Sequence, residues 1–326
     1  MPFLPVSIAA TGIYRPESVL LASVLDAAQG WPSGTTARRS GVTARRRAGA
    51  EESASMMAAA ALAAAGGDRL GHIDRLVVTS IMPEQPIPTT AALVAKRLDL
   101  TPGLMTYDVN ASCLGFLQAL EGAAAAVTLG LSRCVGVVAV EQATLGLDES
   151  DDATAPLFGD GAAAAIVIPA EGKAGILAHR LETYPEGVSL CEIRAGGSRW
   201  NLRRPPPSPR DYLFRMDGRG LARLAMDRLP GFIDKVLAEA GVARSELACV
   251  IPHQASRLGL KFLRRWLGPQ GPVMIDILAD HGNQVTASLP TALHVAVTEG
   301  HLRRGDLALM VGTAAGFGMG AMLFRY

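Results

Sequence analysis

Three residues of the sequence have side chains that can do carbonyl chemistry, and each follows an apolar, strand-like run. They are Cys113, His253 and Asn283. A thiolate can attack an acyl carbon, while an imidazole and an amide can donate hydrogen bonds to a carbonyl oxygen or move a proton. These residues lie far apart in the chain, so only the fold can bring them together. In α/β architectures, reactive groups gather at the ends of strands.

Cys113 is placed by the segment on either side of it. The polar turn 108–112 leads into the run 114–131, in which alanines and leucines recur at helical spacing. This pattern predicts a buried helix whose first turn holds Cys113. Unpaired N–H groups and the macrodipole at such an end favour thiolate over thiol, which makes Cys113 a candidate nucleophile. The alternative is that Cys113 is a small core hydrophobe, as free cysteines often are.

Predicted strands and helices alternate along the chain, which indicates an α/β fold with sheets between helices. Strands are predicted over 3–10, 75–80, 134–140, 162–168, 247–251, 272–278 and 307–312, with a last strand ending at Tyr326. Helices are predicted over 18–28, 51–65, 91–98, 114–131, 217–240 (interrupted at Pro230), 257–267 and 288–299. The order of elements occurs twice, so we expect two similar halves, 1–169 and 170–326, with the cysteine in the first and the histidine and asparagine in the second.

Composition excludes several classes of function. The 31 Lys and Arg residues nearly balance the 30 Asp and Glu residues, leaving a net charge of +1. The overall charge therefore does not favour binding to nucleic acid or to a membrane surface. The sequence also lacks both a run of about 20 apolar residues and a signal-like N-terminus, so we expect a cytosolic protein. The four cysteines have no CxxC spacing, which predicts reduced thiols and no metal site.

Two loop segments are open to interpretation. The basic stretch 31–47, with Trp31, Arg38 and Arg39, is either a solvated loop or a site for an anionic cofactor that has a phosphate and a ring. Gly159-Asp160-Gly161 is too short for a phosphate loop, and we expect a tight turn that needs a positive φ.

Six motifs occur in a fixed order along nearly the whole chain. They are Asp-Val-Asn-Ala-Ser-Cys113-Leu-Gly-Phe, Phe-Gly-Asp160-Gly-Ala, Ala195-Gly-Gly-Ser-Arg, Phe214-Arg-Met-Asp-Gly, Ile251-Pro-His253-Gln-Ala-Ser and His281-Gly-Asn283-Gln-Val-Thr-Ala-Ser-Leu-Pro. This set resembles the signature of β-ketoacyl-acyl carrier protein synthase III in the thiolase superfamily. The resemblance implies a duplicated, five-layered αβαβα thiolase fold, a homodimer and a Cys113-His253-Asn283 triad.

The resemblance also implies a reaction. An acyl-coenzyme A acylates Cys113, and malonyl-acyl carrier protein then condenses with the acyl group as CO₂ is lost, initiating a fatty acid or a polyketide. His253 and Asn283 bind the malonyl thioester oxygen, and a second oxyanion hole comes from backbone N–H groups of Cys113, Ala315 and Gly316. No resident cofactor is implied, since coenzyme A and the carrier phosphopantetheine are parts of substrates. The alternative is acyl transfer from Cys113 to a hydroxyl, an amine or a carrier without decarboxylation.

The same resemblance implies roles for several surface residues. Coenzyme A contacts are expected at Trp31, Arg38 and Arg39, although simple solvation of these arginines stays open. Carrier-protein docking is expected on the helix that carries Arg257, Lys261, Arg264 and Arg265. Ile87 is expected to close the acyl pocket of the partner subunit, with ordinary packing as its alternative. The sequence departs from the family pattern at Ser256, at Gln284-Val285 and at Ala314-Ala315-Gly316.

Overall fold

The computed structural model describes residues 3–326. The strands are β1 (Val6–Tyr14), β2 (Ser18–Leu21), β3 (Ala44–Arg47), β4 (Arg75–Thr79), β5 (Met105–Val109), β6 (Val135–Glu141), β7 (Gly161–Pro169), β8 (Gly175–Thr183), β9 (Cys191–Glu192), β10 (Arg215–Met216), β11 (Leu247–Pro252), β12 (Val273–Met274), β13 (Leu307–Ala314) and β14 (Gly318–Arg325). The helices are α1 (Ala22–Ala28), α2 (Thr35–Ser40), α3 (Ala54–Gly66), α4 (Thr90–Arg97), α5 (Gly115–Thr128), α6 (Gly218–Glu239), α7 (Arg257–Leu267), α8 (Leu278–His281) and α9 (Ser288–Thr298).

Two five-stranded mixed sheets have the same topology. The first has the order β1-β7-β6-β4-β5 and the second β8-β14-β13-β11-β12. In each, the first two pairings in this order are antiparallel and the last two are parallel. Identical order and direction in the two sheets agree with the expected duplication. The boundary between residues 169 and 170 stays a prediction.

The sheets and helices form five layers. Helices α5 and α9 lie between the two sheets, α3 and α4 cover the outer face of the first sheet, and α6 and α7 cover the second. The middle position of α5 follows from its sequence, because Phe116, Leu117 and Leu120 bury their side chains completely or nearly so. The α/β prediction and its αβαβα layering are therefore confirmed.

Three local predictions differ from the structure. Residues 18–21 of the expected helix 18–28 pair instead with β3 as strand β2, and the helix begins at Ala22. Only Val273 and Met274 of the expected strand 272–278 pair with β11. Helix α6 continues through Pro230, because Leu229, Phe232 and Ile233 are buried against the second sheet and packing offsets the lost hydrogen bond.

No helix among residues 3–326 has both the length and the apolar character needed to cross a membrane.

Candidate active site

Cys113 lies in a tight turn between β5 and α5. The helix begins at Gly115, so the cysteine precedes the first turn instead of belonging to it, and that part of the prediction is wrong. Ser112 has a φ of +50°, a left-handed conformation that non-glycine residues rarely adopt, and its N–H donates to Asn110 Oδ1 at 3.0 Å.

Burial decides the protonation state of the Cys113 thiol. Burial raises the pKa of Cys113 to about 12, and the neighbouring Glu141 carboxyl adds to the rise, while the backbone N–H groups of Ala315 and of Cys113 itself oppose it. The expectation of a resting thiolate is therefore wrong, because loss of hydration outweighs the helix end. Cys113 is a thiol at neutral pH and needs a base when it reacts.

His253 is the candidate for that base. It follows β11, and its backbone N–H donates to Val311 O of the neighbouring strand β13 at 2.8 Å. The side chain is 5% exposed, and its Nδ1 has no hydrogen-bond partner among residues 3–326. Burial lowers the pKa of His253 to about 4, so the ring is neutral at physiological pH. A neutral imidazole can accept a proton at one nitrogen and donate one from the other.

Strand β13 brings His253 and the cysteine turn together. A Cβ atom at Gly312 would lie 2.6 Å from the His253 Cβ and 3.4 Å from Leu114 Cδ2. Glycine at this position therefore lets the histidine and the residue after Cys113 approach the same point of the strand. Farther along the chain, the turn between β13 and β14 presents the Ala315 N–H to the Cys113 sulfur. Two expected oxyanion donors, the Cys113 and Ala315 amides, are thus beside the sulfur, and a role for the Gly316 amide stays a prediction.

Asn283 has its side-chain amide oriented by its own loop. Its Oδ1 accepts hydrogen bonds from the Val285 N–H at 2.8 Å and from the Ser288 hydroxyl at 3.5 Å. Its Nδ2 therefore faces the other way and donates to Ala255 O at 3.4 Å, two residues after His253. The asparagine NH₂ group consequently points toward the segment that holds the histidine.

Gly159 and Gly161 lie against the loop that holds Asn283, where a larger residue would not fit. Neither Gly159 nor Gly161 has a positive φ, so the predicted turn conformation is wrong. A Cβ at Gly159 would collide with the His281 carbonyl oxygen, and one at Gly161 would collide with the Gln284 side chain. Gly159 is needed because its backbone lies against the backbone of residues 281–283. The Gly159 N–H donates to Asn283 O at 3.1 Å across this contact.

Two buried residues that the sequence analysis missed connect these parts. Glu141, at the end of β6, is fully buried and accepts hydrogen bonds from the Ile81 N–H at 3.0 Å, the Ser80 hydroxyl at 3.3 Å and the Thr286 N–H. Burial raises the pKa of Glu141 to about 8. The Thr286 hydroxyl accepts the Phe116 N–H at 3.1 Å. A carboxylate ending an otherwise apolar strand was the available sequence signal.

Both halves of this chain are similar to one protein family. Residues 107–185 match the family 3-oxoacyl-[acyl-carrier-protein (ACP)] synthase III, and residues 237–326 match its C-terminal family. The β-ketoacyl-[acyl-carrier-protein] synthase III of Aquifex aeolicus is 34% identical over 323 residues, covering 97% of this chain and 98% of the relative. The chain belongs to the β-ketoacyl-[acyl-carrier-protein] synthase III family. This condensing synthase is an acyltransferase, as the motifs predicted.

Solved structures of the family share the whole fold of this synthase. The Aquifex aeolicus 3-oxoacyl-[acyl-carrier-protein] synthase III superposes with a TM-score of 0.87 at 31% identity, covering 98% of this chain and 100% of the other. The priming β-ketosynthase of the R1128 polyketide pathway gives a TM-score of 0.88 at 28% identity, with coverages of 98% and 96%.

Of the residues expected to contact coenzyme A, Arg38 and Arg39 lie in the last turn of the synthase's helix α2, and Trp31 precedes that helix. The Arg39 guanidinium lies 4.8 Å from the centroid of the Trp31 ring, and the Arg38 and Arg39 side chains are exposed. The Arg257 guanidinium donates to the Arg38 carbonyl oxygen, which joins α2 to α7. The structure therefore puts the expected coenzyme A residues next to the expected carrier-docking helix.

Helix α7 has a basic face. Lys261, Arg264 and Arg265 are exposed, and Arg264 pairs with Asp276 at 3.0 Å. A cavity of about 440 Å³ lies between this face and Gly41. Ser256, one of the departures from the family pattern, begins the helix by accepting the Gly259 N–H at 3.1 Å. Carrier docking on α7 stays a prediction.

Two remaining expectations concern a partner subunit and metals. Ile87 is 85% exposed in the segment before α4, so its side chain is free to contact another subunit. Across residues 3–326, no group of three or more His, Cys, Asp or Glu side chains is arranged to hold a metal ion.

Proposed function

We propose that this synthase forms an acyl-enzyme on Cys113 from an acyl-coenzyme A and condenses it with malonyl-acyl carrier protein, with loss of CO₂. The proposal is supported by β13, where Gly312 lets His253 and the residue after Cys113 approach one point, and by the Asn283 NH₂ group, which is directed toward the segment that holds His253. Each group has a role in the reaction.

Acylation begins from a thiol. The Cys113 sulfur attacks the thioester carbon while its proton passes to the neutral His253, so no thiolate accumulates beforehand. The Cys113 and Ala315 N–H groups stabilise the oxyanion of the tetrahedral intermediate. The bond from carbon to the coenzyme A sulfur then breaks, and the leaving sulfur takes the proton from His253.

Decarboxylation uses the same histidine as a donor. As the malonyl C–C bond breaks and CO₂ leaves, negative charge develops on the thioester oxygen. The N–H of the His253 ring and the Asn283 NH₂ stabilise that charge, each contributing on the order of 3 kcal/mol. The resulting enolate attacks the acyl carbonyl and forms the new C–C bond. The Cys113 sulfur leaves as a thiolate and takes one proton from solvent, which balances the loss of CO₂ from a carboxylate and restores the thiol.

The neighbouring helices α2 and α7 would bind the coenzyme A thioester and the acyl carrier protein on the same side of the protein. Trp31, Arg38 and Arg39 suit the ring and phosphates of coenzyme A, and the basic face of α7 suits an acidic carrier. We further propose a homodimer in which Ile87 closes the partner's acyl pocket. The product primes a fatty acid or a polyketide chain, and the expected cytosolic location stays a prediction.

Intact-protein mass spectrometry tests the proposal. Wild type and Cys113→Ala are incubated with a panel of acyl-coenzyme A thioesters, and malonyl-acyl carrier protein is then added. We expect an adduct that requires Cys113 and is discharged as β-ketoacyl carrier with release of CO₂. An adduct that malonyl carrier does not discharge would favour acyl transfer to another acceptor. If no thioester acylates Cys113, the proposal is wrong.

A further inference from the structure

The chain between β9 and β10 contains a basic turn that the reaction above does not use. The Asn201 N–H donates to Arg204 O at 2.9 Å, and the Arg204 N–H donates back to Asn201 O at 3.1 Å. The Asn201 Oδ1 also accepts the Arg203 N–H at 2.9 Å. We call Arg199, Trp200, Leu202, Arg203 and Arg204 the arginine tip.

The cations of the arginine tip are unpaired. Arg199, Arg203 and Arg204 are exposed, and none has a carboxylate within 4.0 Å among residues 3–326. Nearby arginines of the same segment differ, since Arg194 pairs with Glu192 and Arg210 with Asp148. Three like charges held together without counter-charges repel one another, so an anionic partner would stabilise the tip.

An apolar side chain stands among these charges. Leu202 is fully exposed, at 100% of its possible surface. The Arg199 and Arg204 guanidiniums lie 5.7 and 5.1 Å from the centroid of the Trp200 ring, two residues before Leu202. An exposed leucine in a short basic turn gives the tip both apolar and charged surface, as protein-docking surfaces have.

The segment that carries the tip is anchored at the active site. Phe214, which ends it, packs on Phe158 with ring centroids 4.8 Å apart, and Phe158 belongs to a buried apolar cluster against which Phe214 and Cys113 both pack. Burial raises the pKa of Cys191, which begins the segment, and the nearby Cys113 adds to the rise. About ten residues separate the tip from each anchor, a reach of roughly 30 Å at most.

We propose that the arginine tip docks an acidic protein, namely the carrier that delivers the second thioester to Cys113. This inference rests on the proposed function and adds a contact surface distinct from α7. A carrier that presents clustered carboxylates around an apolar side chain would pair with the three arginines and cover Leu202. The net charge of +1 makes the attraction local to the tip.

The test compares charge reversal at the tip with charge reversal elsewhere. Arg203→Glu/Arg204→Glu is the tip variant. Arg69→Glu/Arg303→Glu is the matched control, since both arginines are exposed and form no salt bridge. At low salt we expect the tip variant to raise the KM for malonyl-acyl carrier protein about tenfold and to leave acylation by acyl-coenzyme A unchanged. The control should change that KM less than twofold, and 0.5 M salt should shrink the difference between wild type and the tip variant.

Binding of holo-carrier, followed by fluorescence titration, separates this inference from the proposed function. Weaker binding to the tip variant supports docking even if wild type releases no CO₂, in which case only the proposed condensation fails. An unchanged KM and unchanged binding would overturn the docking role while condensation stands. Equal slowing of acylation would mean that the tip contacts coenzyme A, and a changed oligomeric state in light scattering would mean that it contacts a second copy. Either result would also overturn the inference.

Discussion

The Thr286 hydroxyl accepts a hydrogen bond from the Phe116 N–H at 3.1 Å, which ties the loop after Asn283 to the first turn of the helix after Cys113. The Thr286 N–H in turn donates to the buried Glu141 carboxyl. One threonine thus connects two candidate catalytic residues that are far apart in the sequence. The geometry between them depends on hydrogen bonds that lie outside the reacting groups.

Replacing Thr286 with valine keeps the side-chain volume and removes the hydroxyl. The buried Phe116 N–H would lose its acceptor, so we expect the free energy of unfolding to fall by about 1–3 kcal/mol and acylation of Cys113 to slow. Urea denaturation and the rate of adduct formation measure the two effects. Thr298→Val is the control, because the Thr298 hydroxyl is exposed and bonds only within its own helix. Equal stability of the two variants would contradict the role of Thr286.

The buried Glu141 makes stability depend on pH. Its pKa is raised from 4.5 in the unfolded chain to about 8 by burial, so the folded state holds a proton that the unfolded state has lost. The resulting stability is fully present below pH 4.5 and is lost as pH rises through 8, an effect on the order of 5 kcal/mol. Glu141→Gln should therefore show a flatter decline of the free energy of unfolding between pH 5 and 8. The exposed Glu51→Gln variant should follow wild type, and parallel curves for all three proteins would refute this assignment.

Asn283→Asp tests the direction of the side-chain amide. An aspartate oxygen can still accept the Val285 N–H, so the loop should keep its shape. The NH₂ donor toward the substrate is lost, and we expect CO₂ release from malonyl carrier to fall about 10²–10³-fold. Acylation of Cys113, which does not use this donor, serves as the internal control and should change only a few-fold. A large loss of acylation alone would assign Asn283 to the first step instead.

The protonation state of Cys113 is measurable by alkylation. Because burial raises the pKa of Cys113 to about 12, carboxamidomethylation by iodoacetamide should be slow at pH 7 and still rising at pH 9. Peptide mass spectrometry that follows Cys113, with Cys113→Ala as the blank, gives the rate at each pH. A rate that is already level at pH 7 would show a resting thiolate and would remove the need for His253 as a base.

Much of this protein was predictable from local sequence. The helical spacing of 114–131 and the apolar strand at 134–140 correspond to α5 and β6, because burial of periodic apolar faces is a local signal. The order of motifs around Cys113, His253 and Asn283 identified the family. Strand β2 was missed because its partner β3 lies more than twenty residues away, so nothing local distinguishes residues 18–21 from a helix.

The sequence by itself determined which residues could do chemistry, the alternation of strands and helices, and the family. Only the tertiary structure decided that Cys113 is a thiol, that His253 is neutral and that Glu141 and Thr286 join the two halves of the site. The physical reason is that a pKa and a hydrogen-bond partner depend on burial and on groups brought near from distant parts of the chain. The spacing of residues along the sequence carries no measure of either.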